Sequence, residues 1–161
     1  MPLTITSPAF SANHQIPVIY TCDGPNISPP LQWTGIPSGT KSLTLIIDDP
    51  DAPDPAAPKR VWVHWLLYNI PASIHELAEG IAPEALPAGV LTGRTDSKTT
   101  YYGGPCPPIG CHRYFHKIYA LDIVLPNLQI PQKPALLQAM QGHILAYAEL
   151  IGLYERSPQK G

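Results

Sequence analysis

Residues 61–68 read Val-Trp-Val-His-Trp-Leu-Leu-Tyr, with apolar side chains at both odd and even positions. The stretch 43–47, Leu-Thr-Leu-Ile-Ile, has the same character. Side chains of a strand alternate between two faces, so strands that are apolar on both faces are covered on both sides. Turn sequences such as Asp23-Gly24-Pro25 and Gly103-Gly104-Pro105 separate the short apolar stretches. The pattern predicts an all-β (mainly β) fold, with a β-sandwich as the first choice.

The composition agrees with one globular domain over residues 1–161, of which 44% are hydrophobic and 14% charged. Its 21 prolines favour short strands joined by stiff loops, since proline breaks helix interiors and central sheet ladders. A formal net charge of -2 lacks the basic surface that nucleic-acid binding requires, so no nucleic-acid partner is predicted.

No targeting or membrane segment is visible in the chain. The first ten residues, MPLTITSPAF, lack the basic and apolar regions of a signal peptide, and no apolar run is long enough to span a membrane. We therefore expect a cytoplasmic protein without integral membrane association.

The cysteines are few and odd in number: Cys22, Cys106 and Cys111. This count argues against a secreted disulfide framework, and a cytoplasmic location disfavours a Cys106–Cys111 disulfide. The three thiols and His112 match no usual zinc spacing. The sequence predicts neither a metal site nor a cofactor, and it leaves the redox state of the cysteines open.

The C-terminal part allows two interpretations. Residues 134–154 could form one amphipathic helix, because apolar residues recur at helical spacing. Alternatively, a short helix over about 134–141 ends at Gly142 and a strand follows. From the residues alone the two are close to even.

Two segments carry the first candidate site residues. Asp48-Asp49-Pro50-Asp51-Ala52-Pro53 follows a strongly apolar strand and reads either as an ordinary turn or as a rigid loop that holds two carboxylates. In Trp62-Val63-His64-Trp65, strand alternation places Trp62 and His64 on one face, and Val63 and Trp65 on the other. A histidine near carboxylates holds its proton more readily, so His64 could meet an anion as imidazolium, although a satisfied core histidine is the more common case.

The third segment is Gly103-Gly-Pro-Cys-Pro-Pro-Ile-Gly-Cys-His-Arg-Tyr-Phe115. Its glycines, Gly110 included, allow close backbone approach, and free backbone N–H groups in such a loop can cradle an anion. His112 and Tyr114 share one strand face and are candidate donors into a pocket. Arg113 shares the other face with Phe115, which we expect to be core, and this favours a structural ion pair for Arg113.

Together, five blocks in order resemble the phosphatidylethanolamine-binding protein family, in particular its short bacterial and archaeal branch, related to Raf kinase inhibitor protein. The blocks are Tyr20-Thr-Cys-Asp-Gly24, Ser28-Pro-Pro-Leu-x-Trp33, Asp49-Pro-Asp-Ala-Pro53, Trp62-x-His64 and Gly104-Pro-Cys-Pro-Pro-x-Gly-x-His-Arg-Tyr114.

The resemblance implies a two-sheet antiparallel β-sandwich with one short C-terminal helix followed by a strand. It also implies a non-enzymatic binding protein with a pocket for a small phosphate-like anion, such as phosphoethanolamine or a phosphorylated residue. Carried over, the pocket is lined by Asp49, Asp51, Trp62, His64, Pro105, His112 and Tyr114, with Arg113 and Gly110 in structural roles. Val63 stands where animal members often carry a second histidine.

Three alternatives or additions remain. An inhibitor of a kinase or protease would use the pocket rim as its contact surface, and a metal-assisted hydrolase would use the Asp and His side chains. We expect no enzyme, because none of the usual catalytic motifs is present. Short bacterial relatives tend to form homodimers, and Tyr147, Leu153 and Tyr154 on the last strand would either pair with a second copy or face the core.

Overall fold

The computed structural model describes residues 2–156, which form two antiparallel sheets and one α-helix. The predicted all-β sandwich with a single short helix is confirmed. The strands are β1 (Thr4–Thr6), β2 (Leu31–Thr34), β3 (Ser42–Ala52), β4 (Arg60–Pro71), β5 (Glu76–Leu77), β6 (Leu91–Thr92), β7 (His112–Leu121) and β8 (Ile144–Tyr154). Short 3₁₀ turns lie at Val18–Tyr20 and Pro83–Ala85.

The larger sheet has the order β6-β4-β3-β7-β8, and the smaller sheet has the order β1-β2-β5. The main core lies between them, where Trp33 of β2 meets Leu45, Leu67 and Ile118 of the larger sheet. A second cluster covers the outer face of the larger sheet. Strands β3 and β4 are therefore buried on both faces, as their apolar residues at both odd and even positions predict.

The helix α1 (Lys133–Met140) supplies much of that second cluster through Leu136 and Met140. Pro134 lies in its first turn, where a missing N–H costs nothing. Gly142 then adopts a φ of +83°, and β8 begins two residues later. The short helix followed by a strand is confirmed, and the single helix over 134–154 is wrong.

The end of β3 differs from the sequence-based expectation. The segment Asp48–Pro53 was expected to form a turn or loop, whereas β3 continues through Ala52. Its carboxylates lie in a strand because each has a partner, such as the ammonium groups of Lys117 and Lys133 on Asp48 Oδ2, at 2.9 and 2.6 Å. Strand β7 begins at His112, so His112 and Tyr114 lie on a strand as expected. No helix within residues 2–156 is long and apolar enough to cross a membrane.

Candidate functional site

A cavity of about 540 Å³ opens at the end of the larger sheet where β3, β4 and β7 lie side by side. The strands contribute most of the polar side chains, and the loop of residues 104–108 forms a wall. Of the seven predicted site residues, the cavity brings together Asp49, Trp62, His64, His112 and Tyr114.

The other two predicted residues, Asp51 and Pro105, do not line the cavity. Pro105 is buried in the loop, and its carbonyl accepts a hydrogen bond from the Cys22 N–H at 3.1 Å. Asp51 Oδ1 and Oδ2 accept from the Arg113 guanidinium at 2.9 and 3.0 Å. Both residues therefore support the site from outside it.

A β-bulge places His64 at the cavity. Ile47 pairs with Trp65 and the next residue, Asp48, pairs with Val63, so β4 contains one extra residue at His64. Trp65 consequently faces the core between the sheets, whereas Val63 packs in the cluster on the opposite side. The expectation that Val63 and Trp65 share a face is wrong, because a bulge interrupts the alternation of side chains.

The His112 ring is held at both nitrogens. Nδ1 lies 2.6 Å from Asp49 Oδ2, and Nε2 lies 2.8 Å from the carbonyl oxygen of Ile109. A carboxylate and a carbonyl only accept, so both contacts are satisfied when the ring carries both protons. Both His112 nitrogens therefore contact protein atoms, which differs from the expected donor role toward a ligand.

His64 is only 7% exposed and has one occupied nitrogen. Its Nδ1 lies 2.6 Å from the carbonyl oxygen of Gly103, whereas Nε2 has no partner among residues 2–156. Burial lowers the pKa of His64 below its usual value, against the opposing effect of the Gly103 carbonyl and nearby carboxylates. The ring is thus neutral at pH 7, which differs from the expected imidazolium.

Tyr114 completes the polar floor. Its ring lies against His64, with centroids 5.3 Å apart, and against His112, with centroids 6.3 Å apart. Burial raises the pKa of the Tyr114 phenol, so the hydroxyl keeps its proton and can donate to a ligand oxygen.

Asp51 and Arg113 form an ion pair on the outside of this floor. The guanidinium lowers the pKa of the Asp51 carboxyl, mainly through its hydrogen bonds. The structural role predicted for Arg113 agrees with this contact, but its side chain is 51% exposed and Phe115 is only partly buried. The face that the two residues share is the outer surface of the sheet and not the core.

The glycine loop was expected to offer its backbone N–H groups to an anion, but its first two N–H groups bind other parts of the protein. Gly103 N–H donates to the His64 carbonyl at 3.1 Å, and Gly104 N–H donates to Asn26 Oδ1 at 2.8 Å. A Cβ on Gly104 would lie 2.1 Å from the Tyr20 carbonyl oxygen, so glycine is required for the close approach. Gly110 adopts a φ of +75°, which suits the structural role expected for it.

A disulfide joins Cys22 to Cys106, and Cys111 is a free, exposed cysteine. In the sequence analysis, Cys106–Cys111 was the pairing weighed, because those two cysteines lie close together in the chain. The fold instead brings Cys106 onto the segment that contains Cys22, 84 residues earlier. The bond also removes two of the thiols from any metal site.

Lys59 and Arg60 lie at the mouth of the cavity, and sequence reasoning did not single them out. None of the ion pairs within residues 2–156 involves either residue. The Arg60 guanidinium lies 5.4 Å from the centre of the Trp62 ring. Lys59 and Arg60 lie just before the Trp62-x-His64 block, and this position in the sequence could have identified them as site residues. Within residues 2–156, no group of three His, Cys, Asp or Glu side chains is arranged to hold a metal ion.

The sequence is similar to known proteins along almost all of its length. A model of the family described as phosphatidylethanolamine-binding protein matches residues 6–155. A UPF0098 protein of Methanothermobacter thermautotrophicus is 50% identical over 156 residues, covering 96% of this chain and 99% of the relative. A UPF0098 protein of Chlamydia muridarum is 45% identical over 154 residues, covering 96% and 99%.

Solved structures show the same fold. A phosphatidylethanolamine-binding protein homologue from Chlamydia trachomatis has a TM-score of 0.88 at 41% identity, over 97% of this chain and 99% of that one. E. coli YbcL, described as a new member of the mammalian family, has a TM-score of 0.86 at 30% identity, over 98% and 100%. A carboxypeptidase Y inhibitor solved with its proteinase has a TM-score of 0.60 at 16% identity, which shows the fold alone, over 97% and 85%. This chain belongs to the phosphatidylethanolamine-binding protein family.

Proposed function

We propose that the protein is a non-enzymatic binding protein whose cavity takes a small anion of the phosphate type. The charge distribution carries the proposal. The Asp49 carboxylate already contacts His112 and the Asp51 carboxylate pairs with Arg113, whereas Lys59 and Arg60 at the mouth have no acidic partner within residues 2–156. The mouth is therefore positive, and the Tyr114 hydroxyl below it can donate to an anion.

The direct test is a calorimetric titration with inorganic phosphate and with phosphoethanolamine. Lys59→Ala should weaken both about 3- to 10-fold, because one exposed cation near a bound anion contributes roughly 1 kcal/mol. Affinity should also fall with added sodium chloride. Lys41→Ala is the matched control, since Lys41 precedes β3 at the end away from Asp49 and should leave affinity unchanged. Absence of binding at millimolar ligand, or equal losses in both variants, would refute the anion pocket.

The inhibitor alternative remains a second proposal, in which the rim contacts a kinase or protease. Its support is the 57% exposed side chain of Ile109, beside the cavity wall formed by Pro107 and Pro108. Ile109→Asp should abolish inhibition in a protease panel while phosphate still binds.

The hydrolase alternative has less support, because Asp49 and His112 already pair with each other and no carboxylate of residues 2–156 contacts His64. The cytoplasmic location stays a prediction, and the Cys22–Cys106 disulfide, a bond typical of oxidising compartments, weighs against it.

A further inference from the structure

His64 lines the anion pocket, and its buried Nε2 atom has no hydrogen-bond partner within residues 2–156. Buried polar atoms almost always have a hydrogen-bond partner, and each exception calls for an explanation. A ligand atom in the pocket can supply this partner, and the inference that follows rests on the anion-binding function proposed above.

The hydrogen bond at the other nitrogen fixes what Nε2 can offer. The Gly103 carbonyl oxygen can only accept, so the 2.6 Å contact requires the proton on Nδ1. In the neutral ring, Nε2 then carries a lone pair and no proton. The floor presents an acceptor to the ligand, where an anion site would normally present a donor.

The surroundings of His64 keep the ring neutral. Three carboxylates attract a proton toward it, those of Asp48, Asp49 and Asp96. Asp49 Oδ2 contacts His112 and Asp48 Oδ2 binds two lysines, whereas Asp96 Oδ2 accepts a hydrogen bond from the Val63 N–H at 2.6 Å. The remaining titratable neighbours are Tyr114, whose pKa is raised, and His116, a buried histidine whose pKa is lowered. Burial outweighs the attraction of these carboxylates and lowers the pKa of His64, so the ring stays neutral near pH 7.

We infer that the pocket selects a phosphate monoester, or free phosphate, that still carries one proton. The ligand P–OH donates to His64 Nε2, while its ionised oxygens receive the Tyr114 hydroxyl and the charges at the mouth. A sulfate ester and a phosphodiester carry no such proton near neutral pH. Either would place an oxygen lone pair against the Nε2 lone pair, or would require His64 to take a proton in a buried position.

The test compares three ligands with the same amine: phosphoethanolamine, 2-aminoethyl sulfate and glycerophosphoethanolamine. At about pH 5.5 the monoester is largely a monoanion, because its second pKa is near 6, and its anionic group then matches the charge of the other two. We expect phosphoethanolamine to bind about 10- to 100-fold more tightly than either, the usual range for a buried acceptor left without its donor. Equal affinities, or a preference for the sulfate or the diester, would overturn the inference and leave the anion pocket intact. Failure of all three to bind would refute the proposed function itself.

His64→Gln removes the fixed lone pair, since an amide can turn its N–H toward the ligand. The preference for phosphate over sulfate should fall to near unity in this variant. Lys59→Ala is the matched control: it removes a charge and not an acceptor, so it should weaken both ligands by the same factor. An unchanged preference in a folded His64→Gln protein contradicts the inference.

A second measurement needs no variant. Phosphoethanolamine is almost entirely a dianion at about pH 8, so binding should take up about one proton per ligand at that pH. Calorimetry in two buffers with different ionisation enthalpies counts this proton. Affinity should accordingly fall about tenfold per pH unit above about pH 7. Zero proton uptake at pH 8 would overturn the inference.

Discussion

Asp49 and His112 form a buried ion pair: Oδ2 lies 2.6 Å from Nδ1, and the side chains are 4% and 1% exposed. The pair joins the end of β3 to the start of β7 at the floor of the cavity. Asp49 Oδ1 also accepts from the Asp51 N–H at 2.7 Å, so both carboxylate oxygens are occupied. This carboxylate organises the pocket and is not free to act as a base.

Asp49→Asn should therefore destabilise the fold. It removes the carboxylate charge from the buried contact with His112, and breaking one side of a buried pair costs about 3–5 kcal/mol. Urea denaturation at pH 7 measures the loss in unfolding free energy. Glu84→Gln, which also removes a carboxylate but at an exposed position, should change it by less than about 0.5 kcal/mol. Similar losses in both variants would mean that the pair contributes nothing specific.

His116 should make stability depend on pH. It is completely buried, and burial lowers its pKa from 6.5 to about 4, although its Nδ1 donates to backbone carbonyls. Below pH 6.5 the unfolded chain takes up a proton that the folded protein refuses, so stability falls as pH drops from 6.5 toward 4. The contribution fully present above pH 6.5 is on the order of 3 kcal/mol.

The measurement compares wild type with His116→Asn, which retains a donor near the Nδ1 position and does not titrate. The difference in unfolding free energy should be largest at pH 7.5 and should shrink steadily toward pH 4. A difference that stays constant over this range would show that His116 does not titrate on unfolding.

Much of the fold follows from the sequence because its signals are local. Apolar residues at both odd and even positions identify β3 and β4 as buried strands, and Gly142 separates α1 from β8. In β7, simple alternation places His112 and Tyr114 in the cavity and Arg113 outside it.

The rest depends on contacts between distant residues. The bulge at His64 arises from how β3 and β4 pair, and alternation along β4 alone cannot show it. The protonation of His64 depends on the Gly103 carbonyl, which lies 39 residues away. Lys59 and Arg60 resemble ordinary surface cations until the cavity is seen beside them.

The Cys22–Cys106 disulfide should stabilise the protein by about 2–4 kcal/mol, because it closes a long loop of the unfolded chain. Replacing both cysteines with serine should lower the unfolding free energy by that amount, whereas Cys111→Ser should not. The fold should persist, since Gly104 and Cys22 keep their backbone hydrogen bonds across the same contact. Thiol titration of the denatured protein should count one cysteine before reduction and three after it. Three before reduction would mean that the bond does not form.

The homodimer remains a proposal, and the structure relocates its contact surface. Tyr154 is 3% exposed and faces the core, so only part of β8 is available to a second copy. Hydrogen bonds from residues 13–16 to Ile151 and Leu153 cover the later part of its edge. Among the described residues, no strand pairs with the earlier part of this edge, where Leu145 and Tyr147 are 43% and 40% exposed. An open apolar edge favours antiparallel pairing about a twofold axis.

Leu145→Lys should therefore return a dimer to monomer, because a charge on an edge strand blocks pairing with another edge. Tyr101→Lys, at a 57% exposed position far from β8 in sequence and on no strand, is the control and should leave the mass unchanged. Light scattering at micromolar concentration decides the matter. A wild-type mass near 17.5 kDa means a monomer and ends the proposal. A doubled mass that persists in Leu145→Lys would mean that the dimer uses a surface other than the open edge of β8.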